Sequence, residues 1–247
     1  MNDRIALSPG TVALVTGASA GIGRAIAQTL SGQGCRVICA ARRRDRLEAL
    51  VEAMPNPAFA LALDIADGKS VDGLLDRLPP EWRQIDILVN NAGHDLGGRQ
   101  AFHLRDPDDM AAVMETNATG MMRATLAVLP GMQSRGKGHI VTIGSVNGVE
   151  WTANHSVYVA SKFAVHGFTN SLRMELQGTG IRLSEVMPGL VRTEFAAARW
   201  RGDEARAEEF YARREAALSP QDVADAVLYV LNTPAHVNIC DLVLRPA

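Results

Sequence analysis

The sequence has few cysteines, no long apolar run and no excess of charge of one sign. Its 247 residues include three cysteines, Cys35, Cys39 and Cys240, each in or beside an apolar run typical of a strand. An odd number of cysteines in such positions indicates reduced core thiols rather than a disulfide framework or a metal or redox centre. We therefore expect a cytoplasmic protein.

Composition also argues against several classes of partner. The formal net charge is -2, and the longest block of like charge is Arg42-Arg43-Arg44, so no basic surface for nucleic acid or an anionic membrane is expected. The N-terminal segment MNDRIALSPG has no apolar run of signal-peptide length, and no stretch reaches the ~18 apolar residues of a membrane span. No His/Cys/Asp cluster has the spacing of metal ligands, so no metal is expected.

Apolar runs that alternate with helical patterns indicate the fold class. A chain of 247 residues with 47% hydrophobic content can bury one large core. The pattern predicts an α/β fold, with a single Rossmann-type, doubly wound parallel sheet of about seven strands flanked by helices. We expect one catalytic domain over residues 1–247. The predicted strands are residues 11–16, 36–41, 59–63, 85–90, 139–144, 181–187 and 238–244.

A glycine-rich turn near the N-terminus predicts a dinucleotide site. The run TVALVT is followed by glycines and then by apolar residues at helical spacing. In such a turn, glycine permits a tight bend, lets the backbone approach a pyrophosphate and lets the helix pack closely on the strand, with the phosphate at the helix N-terminus. The predicted cofactor contacts in this turn are Gly17, Ser19, Gly21, Ile22 and Gly23.

The end of the second predicted strand favours NADP over NAD. A protein that binds NAD usually has a carboxylate about 20 residues after the glycine turn, where it accepts hydrogen bonds from the ribose. Ala41 stands at this position, and Arg42 and Arg43 follow it. Arginine is well suited to bind a 2′-phosphate. Alternatively, these arginines only begin the next helix on a solvated face.

The stretch from Gly144 to Lys162 carries the residues with the clearest chemistry. Tyr158 and Lys162 are one helical turn apart, which places their Cβ atoms about 5–6 Å apart on a helix. A fixed ammonium favours the phenolate, so Lys162 is predicted to lower the pKa of Tyr158 toward neutrality. Ser145 follows a predicted strand, at the edge where open α/β sheets bind ligands. Taken alone, the Tyr-x-x-x-Lys pattern also fits a half-buried aromatic residue on an amphipathic helix.

These motifs occur together with Asn90-Asn91-Ala92-Gly93, Asn117, and Pro188-Gly189 followed by Thr193. In order and spacing they resemble the short-chain dehydrogenase/reductase family over residues 11–246. The runs LPPEWRQIDILVNNAG, PGLVRTEF and PAHVNI are similar to the subgroup of NADP-dependent 3-hydroxy acid (serine/allo-threonine) dehydrogenases. Related members of that subgroup reduce small aldehydes, including sulfoacetaldehyde.

The resemblance implies a role for each catalytic residue. Tyr158 would transfer the proton, Lys162 would lower its pKa and bind the nicotinamide ribose, and Ser145 would orient the carbonyl oxygen. Asn117 would lie at a local kink of a long helix over residues 107–134 and support a proton relay. The long helices around Asn117 and Tyr158 would pair across subunits in a homotetramer. The cofactor contacts implied beyond the glycine turn are Arg42, Arg43, Asp64, Asn91, Tyr158, Lys162, Pro188, Gly189, Val191 and Thr193.

The expected function is the interconversion of an alcohol and a carbonyl on a small polar substrate, a 3-hydroxy acid or a small aldehyde, with NADP. The alternatives are a reductase of a larger biosynthetic ketone or aldehyde and a non-catalytic dinucleotide-binding regulator, which the intact Ser145, Tyr158 and Lys162 disfavour. An acidic Glu150 near the site argues against an anionic substrate. A charged segment over residues 193–217 is a candidate substrate lid. The candidate substrate contacts are Asn147, Trp151 and His155, the last being otherwise a surface residue.

Overall fold

Seven parallel strands form one sheet in the computed structural model, which describes residues 7–212 and 216–247. The sheet order is β3-β2-β1-β4-β5-β6-β7, so the direction of winding reverses between β1 and β4. The prediction of a doubly wound parallel sheet is confirmed. The strands are β1 (Val12–Thr16), β2 (Arg36–Ala41), β3 (Ala58–Ala62), β4 (Ile87–Asn90), β5 (Gly138–Ile143), β6 (Ile181–Pro188) and β7 (Asp241–Leu244).

Helices cover both faces of this sheet. Because side chains alternate along a strand, Ala13 and Val15 of β1 pack into one apolar layer and Leu14 packs into the other. Burial on both faces explains why the strands are continuous apolar runs. The helices are α1 (Gly21–Gly32), α2 (Arg44–Glu52), α3 (Gly68–Asp72), α4 (Pro107–Met114), α5 (Met121–Arg135), α6 (Ser156–Glu175), α7 (Phe195–Arg199), α8 (Glu204–Ala212) and α9 (Pro220–Leu231). None of these helices is long and apolar enough to cross a membrane.

Three details refine or correct the sequence predictions. The predicted long helix over 107–134 is divided into α4 and α5 by a π-helical segment, Glu115–Gly120. The candidate lid is two short helices, α7 and α8, and its residues 213–215 lie outside the described residues. Cys35 and Cys39 are buried as predicted, whereas Cys240 is exposed because it precedes the edge strand β7, so its assignment to the core was wrong.

Candidate active site

The glycine turn between β1 and α1 forms a cradle that side chains would fill. Gly17 and Gly21 have φ values of +69° and +52°, a region that glycine adopts without strain. A Cβ at Gly23 would overlap the carbonyl oxygen of Gly17. Ala20 provides no side-chain cap for α1, and the first turn of α1 has no acidic residue. The N–H groups at this helix end are therefore suited to bind a phosphate, and the cradle fits a dinucleotide.

Asn91 supports this cradle from the end of β4. Its side-chain Nδ2 donates to the carbonyl oxygen of Thr16 at 2.9 Å, and its backbone N–H donates to the Thr16 hydroxyl at 3.0 Å. These bonds join the ends of β1 and β4 at the point where the sheet reverses its winding. Ile22 is partly buried against the core on the first turn of α1.

The arginines after β2 lie beside the same turn. Arg43 donates from Nη2 to the Ser19 hydroxyl at 3.0 Å and forms an ion pair with Glu194 at 3.2 Å. Arg42 is exposed, and Ala41 before it is buried. Ser19, Arg42 and Arg43 therefore form a polar, positively charged group next to the cradle. A phosphate on the ribose of a dinucleotide fits this group better than a free hydroxyl does.

The remaining predicted cofactor residues follow β3 and β6. Asp64 accepts a hydrogen bond from the backbone of Ala66 at 3.1 Å, so one carboxylate oxygen shapes its own turn. Pro188 ends β6, and the N–H of Gly189 is bonded to Leu244 at 2.8 Å. Val191 pairs with residue 218 in an isolated bridge. The side chain of Thr193 lies against Gly21, which brings this loop to the mouth of the cradle.

The Ser145, Tyr158 and Lys162 side chains meet where β5 ends. The Lys162 Nζ donates to the carbonyl oxygen of Ile143 at 3.0 Å and lies 5.9 Å from the centroid of the Tyr158 ring. Ser145 hydrogen-bonds the phenol of Tyr158 and accepts a bond from the Asn147 N–H at 3.1 Å. The sequence prediction that these three residues converge agrees with this geometry.

Burial has the largest effect on the pKa values of Tyr158 and Lys162. It raises the pKa of Tyr158 to about 12, although the hydrogen bond from Ser145 acts to lower that pKa. It lowers the pKa of Lys162 to about 8, against the charge of Glu185. Removal from water thus disfavours the charged form of both side chains. The predicted fall of the Tyr158 pKa toward neutrality is not seen here, because the desolvation of the phenol outweighs the Ser145 hydrogen bond and the charge of Arg199.

Asn117 lies at the centre of the π-helical segment and joins three parts of the site. Its Oδ1 accepts from the His94 N–H at 2.8 Å, and its Nδ2 donates to the His94 carbonyl at 2.9 Å and to the Ser161 hydroxyl at 3.0 Å. Ser161 in turn donates to the carbonyl of Tyr158 at 2.7 Å. Such π turns are frequent at functional sites, and this one fixes the helix carrying Tyr158 to the end of β4.

A buried polar cluster lies on the substrate side of Tyr158. His155 stacks on the Tyr158 ring with centroids 4.7 Å apart, and its Nε2 is 2.6 Å from Asp95. Arg199 of α7 forms an ion pair with the same Asp95 oxygen at 2.8 Å. Asn147 reaches Nδ1 of His155 at 3.3 Å through its amide nitrogen, which assigns the imidazole proton to Nε2. Burial lowers the pKa of His155, so the imidazole is neutral.

Sequence reasoning did not find Asp95 and Arg199. Neither residue belongs to a motif, and Arg199 was one charge among many in the candidate lid. The alternative that His155 lies at the surface was wrong, because only 2% of it is exposed. The only available signal was a polar residue, Asp95, within the loop that follows β4.

Trp151 and Glu150 do not join this cluster. Trp151 is 84% exposed and stacks on Phe163 at 6.2 Å. Phe163 is five positions from Tyr158 and thus on nearly the opposite side of α6. Glu150 pairs with Arg245 at the surface, which removes the argument that its charge would repel an anionic substrate.

The fold also assembles a polar cluster from residues distant in sequence. An imidazole nitrogen of His166 and one carboxylate oxygen each of Glu185 and Asp241 lie within 4.8 Å of one another. Spacing in the sequence could not reveal this group, because it joins α6, β6 and β7. Arg173 forms an ion pair with Asp241 at 3.0 Å, so one of the three side chains already has a cationic partner.

Comparison with known proteins identifies the class of enzyme. Residues 11–204 match the family model described as short chain dehydrogenase. The chain therefore belongs to the short-chain dehydrogenase/reductase family, as the motifs predicted, and it is an oxidoreductase of that family.

Several members of this family are similar to the chain over nearly its whole length. The NADP-dependent 3-hydroxy acid dehydrogenase YdfG of Escherichia coli (strain K12) is 42% identical over 236 residues, which cover 95% of this chain and 94% of that protein. The NADP-dependent 3-hydroxy acid dehydrogenase of Schizosaccharomyces pombe is 39% identical over 243 residues, covering 96% and 93%. A structure of the closed form of serine dehydrogenase complexed with NADP+ has a TM-score of 0.91 and 41% identity, covering 95% of this chain and 94% of that one.

Proposed function

We propose that this chain is an NADP-dependent dehydrogenase that interconverts the alcohol and carbonyl forms of a small polar substrate carrying an acidic group. A 3-hydroxy acid is the substrate class that the site fits best, and a small aldehyde with an anionic group is the second. The cofactor is NADP, which agrees with the relatives above and with Arg42 and Arg43 beside the glycine cradle. The observation that carries the substrate class is the position of Arg199.

Arg199 supplies positive charge close to the reacting group. It is 6% exposed, and its Nη1 has no hydrogen-bond partner among the described residues. Its guanidinium lies 5.8 Å from the Phe195 ring, which itself packs edge-on against Tyr158 at 6.0 Å. A second arginine, Arg99, lies nearby. Its pKa is lowered by burial first and by the charge of Arg199 second. His155 is neutral and Asp95 is paired with Arg199, so the positive charge in excess is that of the neighbouring, exposed Arg99, and it suits a carboxylate substrate.

The protein's own groups then account for the proton. Bound NADP supplies or accepts the hydride. Tyr158, whose pKa is raised to about 12, is protonated at neutral pH, so it enters carbonyl reduction as the proton donor to the substrate oxygen. Ser145 hydrogen-bonds the same phenol and is placed to orient that oxygen. Lys162 stands beside the ring as the nearest cation on α6.

The helices α7 and α8 act as the lid over this site. The N–H of Gly97 donates to the Arg199 carbonyl at 3.2 Å, and a Cβ at Gly98 would collide with Arg199 and with Trp200. The loop after β4 therefore requires a glycine at position 98, because a larger residue would block its contact with the end of α7. We propose that this docking excludes water once substrate is bound.

The test is a paired substrate assay with NADP+. Serine and 3-hydroxypropanoate are compared with serinamide and 1,3-propanediol, which keep the alcohol and lack the carboxylate. We expect kcat/KM to be at least tenfold higher for the acids. Arg199→Lys, which keeps the charge but not the planar guanidinium, should narrow that ratio, and Arg206→Lys on the exposed side of α8 serves as the control. Equal rates for acids and neutral analogues would refute the proposed substrate class.

A further inference from the structure

One face of α6 carries titratable groups in a row that extends away from the active site. Tyr158, Lys162 and His166 occupy successive turns, four residues apart, and therefore share a face. The third of them, His166, lies 2.8 Å from Oε2 of Glu185 through its Nδ1. Glu185 belongs to the central part of β6, and its side chain is fully buried. A buried carboxylate is thus held by the residue one helical turn beyond the lysine.

The free oxygen of this carboxylate faces the segment that Lys162 binds. Oε1 of Glu185 has no hydrogen-bond partner among the described residues, and a Cβ at Gly144 would overlap it. Gly144 directly follows Ile143, whose carbonyl accepts the Lys162 ammonium at 3.0 Å. The carboxylate and the ammonium therefore flank the same short segment, which continues into Ser145.

Burying a carboxylate in this way is costly unless a positive charge compensates for it. In the described part of the chain, the two groups that can compensate are His166, by a direct hydrogen bond, and Lys162, by its charge. Arg173 lies further along α6 but is engaged by Asp241 and by backbone carbonyls. The absence of a side chain at Gly144 makes room for this carboxylate.

We propose that Glu185, held by His166, is a positioning residue for Lys162: its carboxylate keeps the lysine in the ammonium form and aligned on the Ile143 carbonyl. The catalytic consequence rests on the proposed function, but the charge state of the lysine does not. Without this carboxylate, a buried lysine at this depth would lose its proton near neutral pH and could no longer act as a fixed cation beside Tyr158.

The electrostatics around both groups agree with this assignment. Burial lowers the pKa of Lys162 to about 8, and the charge of Glu185 opposes that fall. Burial raises the pKa of Glu185, and the His166 hydrogen bond, the His166 charge and the Lys162 charge oppose that rise. The other charged and titratable groups facing this pair are Tyr158 on α6, Asp241 on β7 with its partner Arg173, and Asp95 with Arg199 across the Tyr158 ring.

The chain allows a direct measurement, because it contains only three lysines, Lys69, Lys137 and Lys162. Labelling lysine with 13C at Cε gives one NMR signal for each of these residues. The Lys162 signal is the one that is absent from the spectrum of the Lys162→Arg variant. Lys69 and Lys137 are exposed and serve as internal references. The pH titration of the three signals is compared in the wild type and in Glu185→Gln, Glu185→Ala, Glu185→Asp and Asp241→Asn.

We expect both neutral variants to move the Lys162 titration to lower pH by about one unit or more, since a nearby opposite charge favours the charged form and typically shifts a pKa by about 1–3 units. Glu185→Asp, which keeps the carboxylate, should stay near the wild type, as should Asp241→Asn, which changes the same cluster without removing the charge behind Lys162. The two reference signals should not move.

An unchanged Lys162 titration in either folded neutral variant would overturn the proposal and leave Glu185 with a packing role. The two neutral variants differ in volume, so one serves if the other does not fold. The titration needs neither substrate nor turnover, so its outcome is separate from that of the substrate assay. With an accepted substrate, the alkaline limb of the kcat/KM profile should shift to lower pH in the same neutral variants.

Discussion

At the scale of single residues, the site depends on burial more than on isolated charge pairs. Tyr158 and Lys162 are both shifted toward their neutral forms by removal from water. Nearby polar groups then decide what each residue does: Ser145 hydrogen-bonds the phenol, and Glu185 opposes the loss of the lysine proton. The phenol is consequently protonated at neutral pH, as the proposed proton donor must be, and the lysine is a cation close to its own titration range.

Replacing Tyr158 by phenylalanine removes the transferable proton and keeps the ring that stacks on His155. We expect turnover to fall about 10²- to 10⁴-fold, the usual contribution of general acid–base catalysis, with little change in NADPH affinity. Steady-state kinetics and NADPH fluorescence titration measure the two quantities. If the variant retains most of its turnover, another group supplies the proton and the assignment fails.

We predict that cofactor choice also depends on single residues. Ala41→Asp combined with Arg42→Ala places a carboxylate where the 2′-phosphate is expected and removes one guanidinium. A charge-assisted contact contributes about 1.5–3 kcal/mol, so the preference for NADPH over NADH should fall about ten- to a hundredfold. The measurement is kcat/KM for both cofactors in both proteins. Arg44→Ala, which removes the exposed partner of Glu48 on α2, is the matched control and should leave the preference intact.

At the scale of elements, α8 is linked to the loop after β6 by the buried Tyr211 hydroxyl and by the surface ion pair of Glu208 with Arg192. The Tyr211 oxygen accepts from the Thr193 N–H at 3.1 Å and lies 3.0 Å from the carbonyl oxygen of Val191, to which it can donate. Tyr211 is 7% exposed, so these bonds are shielded from water. These bonds connect the candidate lid to the loop that carries the predicted cofactor contacts Val191 and Thr193, a link that spacing in the sequence did not indicate.

Tyr211→Phe should loosen this link without emptying the space the ring fills. Loss of a hydrogen bond of this kind costs about 0.5–1.5 kcal/mol, so we expect NADPH to bind about two- to tenfold more weakly, with a matching rise in its KM. Tyr229→Phe is the control, because Tyr229 is 63% exposed on α9. Equal cofactor affinity in the two variants would show that the Tyr211 hydroxyl does not position the loop.

At the scale of the whole molecule, several large apolar side chains remain exposed. Phe102, Leu126 and Trp151, on or beside the helices α4 to α6, are 63%, 69% and 84% exposed. Tyr229 of α9 and Val243 of the edge strand β7 are 63% and 48% exposed. A closed tetramer with two kinds of two-fold contact would cover both sets of side chains.

We therefore predict a homotetramer of the 26.5 kDa chain. Light scattering at micromolar concentration should give four times the monomer mass. Leu126→Glu and Val243→Glu should each break one contact and produce dimers, and the double variant should produce monomers. A monomeric wild type would refute the assembly, and tetramers in both single variants would show that these surfaces are not the contacts.

Local sequence determined much of this protein. Apolar runs between helical patterns predicted the strands to within a few residues of their observed ends, because a strand buried on both faces needs continuous apolar side chains. The glycine turn and the Ser145, Tyr158 and Lys162 set were found for a similar reason. Each depends on a short-range requirement, either a bend that only glycine permits or a spacing of one helical turn.

Tertiary structure alone decided the rest. Asp95 and Arg199 form an ion pair although about a hundred residues separate them in the sequence. Glu185 and His166 are in contact across 19 residues. Neither pair produces a recognisable local pattern in the sequence. The same is true of the Tyr158 acidity, whose direction the Tyr-Lys spacing did not predict. A pKa depends on how much water the surrounding elements exclude, and that quantity exists only once the sheet, α6 and α7 are packed together.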